Sequence, residues 1–451
     1  MKLRITERRA ETVTAGRTYD SIKCGLLDII HSNYVSVGFI FEKGVDEKRL
    51  LEGLRRALSL VPSFAGRLRL RPGGADIVCS DAGVPVSIFD VEATRNEALS
   101  DMSNPNTSFG DTVDLESLPV ELRPLLTVRI YWLADGALAL GCSWHHTAGD
   151  LHSFILFMQA WSAFVEGDAP PQILIVDDRE AHFDRFLPLE DSSKPGYRLL
   201  TPRELELHSH LRELPDEQKR VTQIHFASEE LDRMRRTFSE TAKGKLSSND
   251  VVCAHLVTSV RQLQCDGGVN ISSIVSLRTR LGMPAGLIGN PLWPMVISSS
   301  SSQTPVGLAH QIREGLDDFS RLHLNIRTSR TFINETGKSW PGDYGRVLGV
   351  PGDPIFRITD WRNSGVYSIS FDGQFPRFFN FLPTGLSQLP PSLGPLISII
   401  EAPGRSGLLI TLITSAALAE DLRSPAGGEM IHRFREPGDV QPTFLSAVEL
   451  A

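Results

Sequence analysis

Leu138-Ala-Leu-Gly-Cys-Ser-Trp-His145-His146-Thr-Ala-Gly-Asp150-Leu-His-Ser-Phe154 changes its period in the middle. From Ala137 to Trp144 apolar residues alternate, with Leu138, Leu140, Cys142 and Trp144 on one side, which predicts a strand. From Leu151 onward, Phe154, Ile155, Phe157, Met158, Trp161 and Val165 recur at helical spacing and stop at Gly167, which predicts a helix. A strand therefore delivers two histidines to a short loop, and a helix begins at once behind it. That strand-loop-helix unit indicates a mixed α/β fold.

The neighbouring sequence extends the pattern. Leu126-Thr-Val-Arg-Ile-Tyr-Trp132 alternates, and Ala134-Asp-Gly136 supplies turn chemistry before Ala137, so a hairpin is expected. Asp46 to Val61 reads as an amphipathic helix ended by Pro62, followed by short strands at Gly66–Leu70, Ala75–Cys79 and Val84–Phe89. The stretch from Gly167 to Gln223 is rich in charge and proline and weak in period, the signature of a long crossover. Beyond it, Ser228–Phe238 and the apolar run Val251–Leu263 behind Ser247-Ser-Asn-Asp250 read as helices, as does Pro305–Leu322. Ile271–Leu277, Leu292–Ser298, Val366–Phe371 and Leu408–Ile413 read as strands.

Composition excludes several classes. The 451 residues are 41% hydrophobic and 22% charged, an ordinary globular balance. With 46 Lys and Arg against 54 Asp and Glu, the net charge of −8 offers no global field for nucleic acid. No run approaches the roughly 20 apolar residues of a membrane span, and the charged start Met1-Lys-Leu-Arg has no signal-peptide core. A cytoplasmic protein without membrane or nucleic-acid partners is expected. The cysteines, Cys24, Cys79, Cys142, Cys253 and Cys265, are scattered and odd in number, which points away from disulfides and structural zinc.

The chemistry concentrates at His145-His146-Thr-Ala-Gly-Asp150. An imidazole with an unperturbed pKa near 6.5 can take up and return a proton at neutral pH, so a general base is one reading. A hydrogen-bonded structural histidine is the other. Adjacent residues of a strand face opposite sides, so at most one of the pair faces a given cavity. Asp150 equally fits a helix cap. A zinc site has no evident third ligand, and no Gly-x-Ser-x-Gly elbow marks a serine nucleophile.

His145-His146-Thr-Ala-Gly-Asp150, with Trp161 eleven residues on, resembles the His-x-x-x-Asp motif of the BAHD acyltransferases. Further stretches are similar to that family's pattern in the same order: Pro62-Ser-Phe-Ala-Gly-Arg-Leu68, Ser276-Leu-Arg278-Thr-Arg280-Leu, Gly289-Asn290, and Asp360-Trp361 before Tyr367-Ser-Ile-Ser-Phe371-Asp372-Gly373. The last stands where the family has Asp-Phe-Gly-Trp-Gly, here with Ser370 in place of the aspartate, and Leu151 follows Asp150 where many relatives have glycine. This erosion resembles the fungal secondary-metabolism branch.

The resemblance implies two chloramphenicol-acetyltransferase-like sub-domains, each a mixed sheet with flanking helices, with an active-site channel at their interface. On this division residues 1–170 form the first sub-domain, 171–223 the crossover and 224–451 the second. It implies acyl transfer, with acetyl expected, from a coenzyme A thioester to a hydroxyl of a small, largely apolar metabolite. His146 would be the general base, with acyl-CoA as co-substrate, no permanently bound cofactor, no metal and a monomeric enzyme. Asp150, paired with Arg278 or less favourably Arg280, and Asn290 would support the site. His145, Trp144, Phe371, Asp372 and Gly373 are candidate channel-lining residues. Two alternatives use the same fold: a condensing or cyclising enzyme in which His146 moves a proton without coenzyme A, and a binding descendant without catalysis.

Overall fold

The computed structural model describes residues 3–71, 74–102, 107, 109–110, 119–189, 194–211, 219–241, 244–264, 267–338, 342–350, 353–382, 395–402 and 406–439. Cys265 lies outside them. The chain forms two compact units, neither of them continuous in sequence. The first is Met1–Leu187 with Ser276–Leu292 and Asn363–Gly385; the second is Pro188–Val275, Trp293–Arg362 and Leu386–Ala451. Arg278 and Asn290, remote from His146 in sequence, thereby belong to the same unit as His146.

In the first unit a six-stranded mixed sheet runs in the order Ile5–Val13, Val84–Val91, Leu126–Leu133, Leu138–His145, Tyr34–Phe41, Pro376–Phe381. The expected hairpin is there, with Leu126 opposite Trp144 and Trp132 opposite Leu138. Every residue of Leu138–His145 is buried, because the strand lies inside the sheet with both faces covered. The helix Leu151–Glu166 packs on the helix Glu47–Leu60, and the Trp161 indole N–H donates to the Leu50 carbonyl at 2.8 Å. Trp144 stacks flat on Phe154 with ring centroids 4.1 Å apart, a contact worth about 0.5–1.5 kcal/mol beyond the area it buries. Strand end and helix start are thus clamped over the loop between them.

The second unit has its own six-stranded sheet, ordered Lys219–Ala227, Gly407–Ser415, Leu396–Glu401, Ile355–Asp360, Val269–Ser276, Leu292–Ser299. On one face Ile224, Phe226, Ile410, Leu412, Ile397, Ile399, Phe356 and Ile358 form an apolar layer. Phe226 meets His255 of the helix Ser248–Gln264 edge-on, with centroids 6.0 Å apart.

Two expected elements differ. Val366–Phe371 is not a strand: Val366–Ser368 is a single 3-10 turn. The Ser370 amide donates to the Ser162 hydroxyl and its carbonyl accepts from it, so the backbone is satisfied by a helix side chain instead of a strand partner. The helix at Pro305–Leu322 is broken at Asp318 into Pro305–Asp317 and Phe319–Leu322.

Candidate functional site

His145 and His146 part company where the strand ends. His145 is its last residue and is buried, its Nδ1 accepting from the Thr147 amide at 3.3 Å and its ring edge-on to Tyr34. Burial, followed by the positive charges of His146 and Arg123, pushes its pKa down to about 3. It stays neutral in ordinary buffers and is a packing residue. His146 opens the 3-10 turn His146–Ala148 and is half-buried. Its ring stacks on His31, with centroids 5.0 Å apart and planes 29° from parallel.

Asn290 defines the protonation of His146. The Asn290 Nδ2 donates to the His146 carbonyl at 2.9 Å and to Asp28 Oδ1 at 3.1 Å, and both of these atoms can only accept. The amide is therefore oriented, and its Oδ1, 2.8 Å from His146 Nδ1, must accept a hydrogen bond from that nitrogen. With the hydrogen on Nδ1, the lone pair is on Nε2. Burial lowers the pKa of this ring, against the opposing pull of Asp150 and the Asn290 hydrogen bond, so the neutral, basic form prevails at pH 7.

The loop itself is held by its carbonyls. Arg179 donates to the carbonyls of Thr147 and Ala148, both at 2.9 Å, and the Trp144 indole N–H donates to that of Gly149 at 2.9 Å. Arg179 is fully buried and pairs with Asp28 at 3.0 Å, which is also fully buried. A Cβ on Gly149 would stand 2.6 Å from that of Ser153, so no side chain fits there.

Asp150 does both things the sequence allows. One oxygen caps the helix, accepting from the Ser153 amide at 3.0 Å and hydroxyl at 2.9 Å. The carboxylate also takes both guanidinium nitrogens of Arg278, Nη2 at 2.9 Å, in a buried bidentate pair. Burial alone would raise its pKa; Arg278 outweighs that and holds it below the usual carboxylate value. Arg278 also donates to the carbonyls of Leu287 and Gly289, at 3.0 and 3.3 Å. Arg280 is exposed, and the arginine on Asp150 is Arg278.

The structure places the other candidate channel-lining residues as follows. Trp144 and Phe371 have no exposed surface and are core; Phe371 packs on Trp161 and Phe41, each at 5.3 Å between centroids. Asp372 and Gly373 form a turn with φ of 51° and 69°, the pattern of a type I′ hairpin turn. Asp372 pairs with Arg49, and the Gly373 amide donates to Glu166 at 2.9 Å. This turn is fixed to the far end of the helix that Asp150 caps, about 24 Å away along sixteen residues. Asp28, Arg179 and His31 are the site residues that sequence reasoning missed. A lone carboxylate inside the apolar run Gly25-Leu-Leu-Asp28-Ile-Ile30 was the available signal for the first.

Among the described residues no three His, Cys, Asp or Glu side chains gather as metal ligands. Cys24, Cys79, Cys142 and Cys253 are all buried, and burial pushes each thiol up, away from the reactive thiolate. Among the described residues no helix is long and apolar enough to cross a membrane.

Known proteins share this plan. Agmatine hydroxycinnamoyltransferase 1 of Oryza sativa subsp. japonica is 24% identical over 407 residues, 85% of this chain and 89% of that protein. Agmatine coumaroyltransferase-1 of Hordeum vulgare is 27% identical over 401 residues, 84% and 88% of the two. The crystal structure of F. graminearum TRI101 complexed with coenzyme A and deoxynivalenol superposes with a TM-score of 0.69 at 14% identity, covering 91% of this chain and 99% of that one. The mixed α/β architecture, with a sheet in each unit, is thus the chloramphenicol-acetyltransferase-like one. Because the family model described as "Transferase family" matches residues 4–380, the chain belongs to that family, the BAHD acyltransferases.

Proposed function

We propose that the protein transfers an acyl group, acetyl in the simplest case, from a coenzyme A thioester to a hydroxyl of a small secondary metabolite, with His146 Nε2 as the base. Members of the family draw acyl groups from coenzyme A thioesters. The observation that carries the reading is the Asn290–His146 hydrogen bond, which leaves the Nε2 lone pair on a half-buried neutral ring. In the reaction, Nε2 removes the hydroxyl proton as the oxygen attacks the thioester carbonyl. The tetrahedral intermediate collapses, the carbon–sulfur bond breaks, and the departing thiolate takes the proton from Nε2. Ester and free coenzyme A result, and His146 is restored. The eroded motif at Ser370–Gly373 supports placement in the fungal secondary-metabolism branch.

A second reading, an amine acceptor, is favoured by the names of the two agmatine acyltransferases. An amine attacks as its free base, and His146 would then take the proton lost from nitrogen as the amide forms. Purified protein incubated with acetyl-, benzoyl- and coumaroyl-coenzyme A, and with a panel of alcohols and amines, separates the two by which product accompanies thiol release. Product formed without any thioester, or turnover unchanged in His146→Ala, sinks the reading; the expected loss is about 10²–10⁴-fold.

A further inference from the structure

The second unit's sheet has one face packed with aliphatic and aromatic residues. The register places Val221, Ile413, Leu396, Arg357 and Ser272 in one row across the other face. The next row holds Gln223, Thr411, Ser398 and Thr359. Within these rows Arg357 is anomalous. Its Nε is shut off from solvent and donates to nothing, and among the described residues no carboxylate pairs with it. Ser398, diagonal to it on the next strand, also has a buried hydroxyl without a partner. The buried arginines of the first unit, Arg179 and Arg278, are by contrast spent on carboxylates and carbonyls.

A second guanidinium comes to the same place. Arg346, on the short strand Tyr344–Arg346, donates to the Ser272 hydroxyl at 2.6 Å, and Ser272 is the direct register partner of Arg357. Arg346 also bonds the buried Tyr197. Burial and then the charge of Arg346 push the Arg357 guanidinium down to about 10, so each cation makes the other costlier. A guanidinium nitrogen buried without a partner is destabilising, and a second cation close by adds to the cost. Planar forks of N–H donors are suited to carboxylate and phosphate oxygens.

We propose that Arg346 and Arg357, with the hydroxyls of Ser272 and Ser398, form a receptor for an oxyanion, a carboxylate or phosphate carried by one of the substrates. That the anion arrives on a substrate rests on the acyl-transfer reading; the site itself does not.

Two probe pairs distinguish the sources. Coenzyme A against pantetheine isolates the phosphates, and anthranilate against aniline isolates a carboxylate. Calorimetric titration of the full chain should show one charged member binding more tightly than its neutral counterpart. In Arg357→Met that preference should fall about 10- to 100-fold, the worth of a charge-assisted hydrogen bond. Loss confined to the coenzyme A pair identifies a phosphate, and loss confined to the anthranilate pair a carboxylate. Without ligand, Arg357→Met should melt no lower than wild type, because it removes an unpaired charge; a purely structural arginine would lower the melting temperature. Unchanged preferences in both Arg357→Met and Arg346→Gln overturn the proposal. The readout is binding alone, so it holds whether or not acyl transfer is detected.

Discussion

Asn290 grips His146 at both ends of its carboxamide, Oδ1 accepting a hydrogen bond from the ring Nδ1–H at 2.8 Å and Nδ2 donating one to the His146 carbonyl at 2.9 Å. One side chain thus fixes the ring's tautomer and the backbone that carries it. Asn290→Ala is expected to lower kcat about 10²-fold, the scale of a misplaced reacting group, with little change in KM. The bond also favours the protonated ring. Its loss should therefore move the acid limb of the kcat/KM profile, already below the ordinary histidine value in wild type, to still lower pH. A limb that stays in place in Asn290→Ala would detach Asn290 from the base.

Behind Asn290 stands the pair Asp28–Arg179, buried on both sides. Asp28→Asn leaves a buried arginine without its counter-charge and should cost about 3–5 kcal/mol, read by chemical denaturation. The double replacement Asp28→Leu with Arg179→Met should regain much of that stability, because an apolar pair needs no desolvation. It should not regain turnover, since Arg179 also holds the Thr147 and Ala148 carbonyls. Full recovery of both would reduce the pair to a packing role.

What was legible follows from how local the signal is. The buried strand, the loop and the helix behind it were readable because their periods are intact over Ala137–Trp144 and Leu151–Val165. Asp150 was readable as a cap because capping is local; that it also binds Arg278 came from the family resemblance. The strand Ile5–Val13 was not readable, because it is an edge strand whose residues are nearly all exposed, so no alternation survives. Arg179 was hidden in the aperiodic crossover, and its acceptors are backbone carbonyls, which leave no trace in side-chain pattern. The return of Ser276–Leu292 to the first unit was equally invisible, because it is built from long-range backbone bonds such as Ile288 to Leu174.

His145 should make the protein sensitive to acid. Its folded pKa is about 3, against roughly 6.5 in the unfolded chain. Between these values the unfolded state binds a proton that the folded state refuses. The stability His145 contributes is complete above about pH 6.5 and drains as pH falls, by up to about 1.4 kcal/mol per pH unit. His145→Asn, which keeps an acceptor for the Thr147 amide, should flatten the fall in melting temperature between pH 6.5 and pH 4. Parallel curves for the two proteins would contradict the burial argument.

Asp150 and Arg278 should be strongly coupled. Either single replacement, Asp150→Asn or Arg278→Met, leaves a buried group unpaired and should cost about 3–5 kcal/mol. The double variant should cost less than the sum of the two. Turnover of whatever protein remains folded should fall in both singles, because the same pair anchors the cap of the helix behind the loop. Additive losses in a double-mutant cycle would mean the two act independently.

The turn at Asp372-Gly373 gives a converse test. Gly373 has a φ of 69°, and a Cβ there would meet nothing within 4 Å. Gly373→Ala therefore charges only the backbone, about 1–2 kcal/mol for an L-residue held left-handed. The turn is tied to Glu166 and Arg49 at the end of the helix remote from Asp150, so the strain has no short path to His146. Melting temperature should drop by several degrees at most while kcat and KM keep their wild-type values. A tenfold fall in kcat in protein shown to be folded would mean that this turn, despite its place in the fold, belongs to the working site.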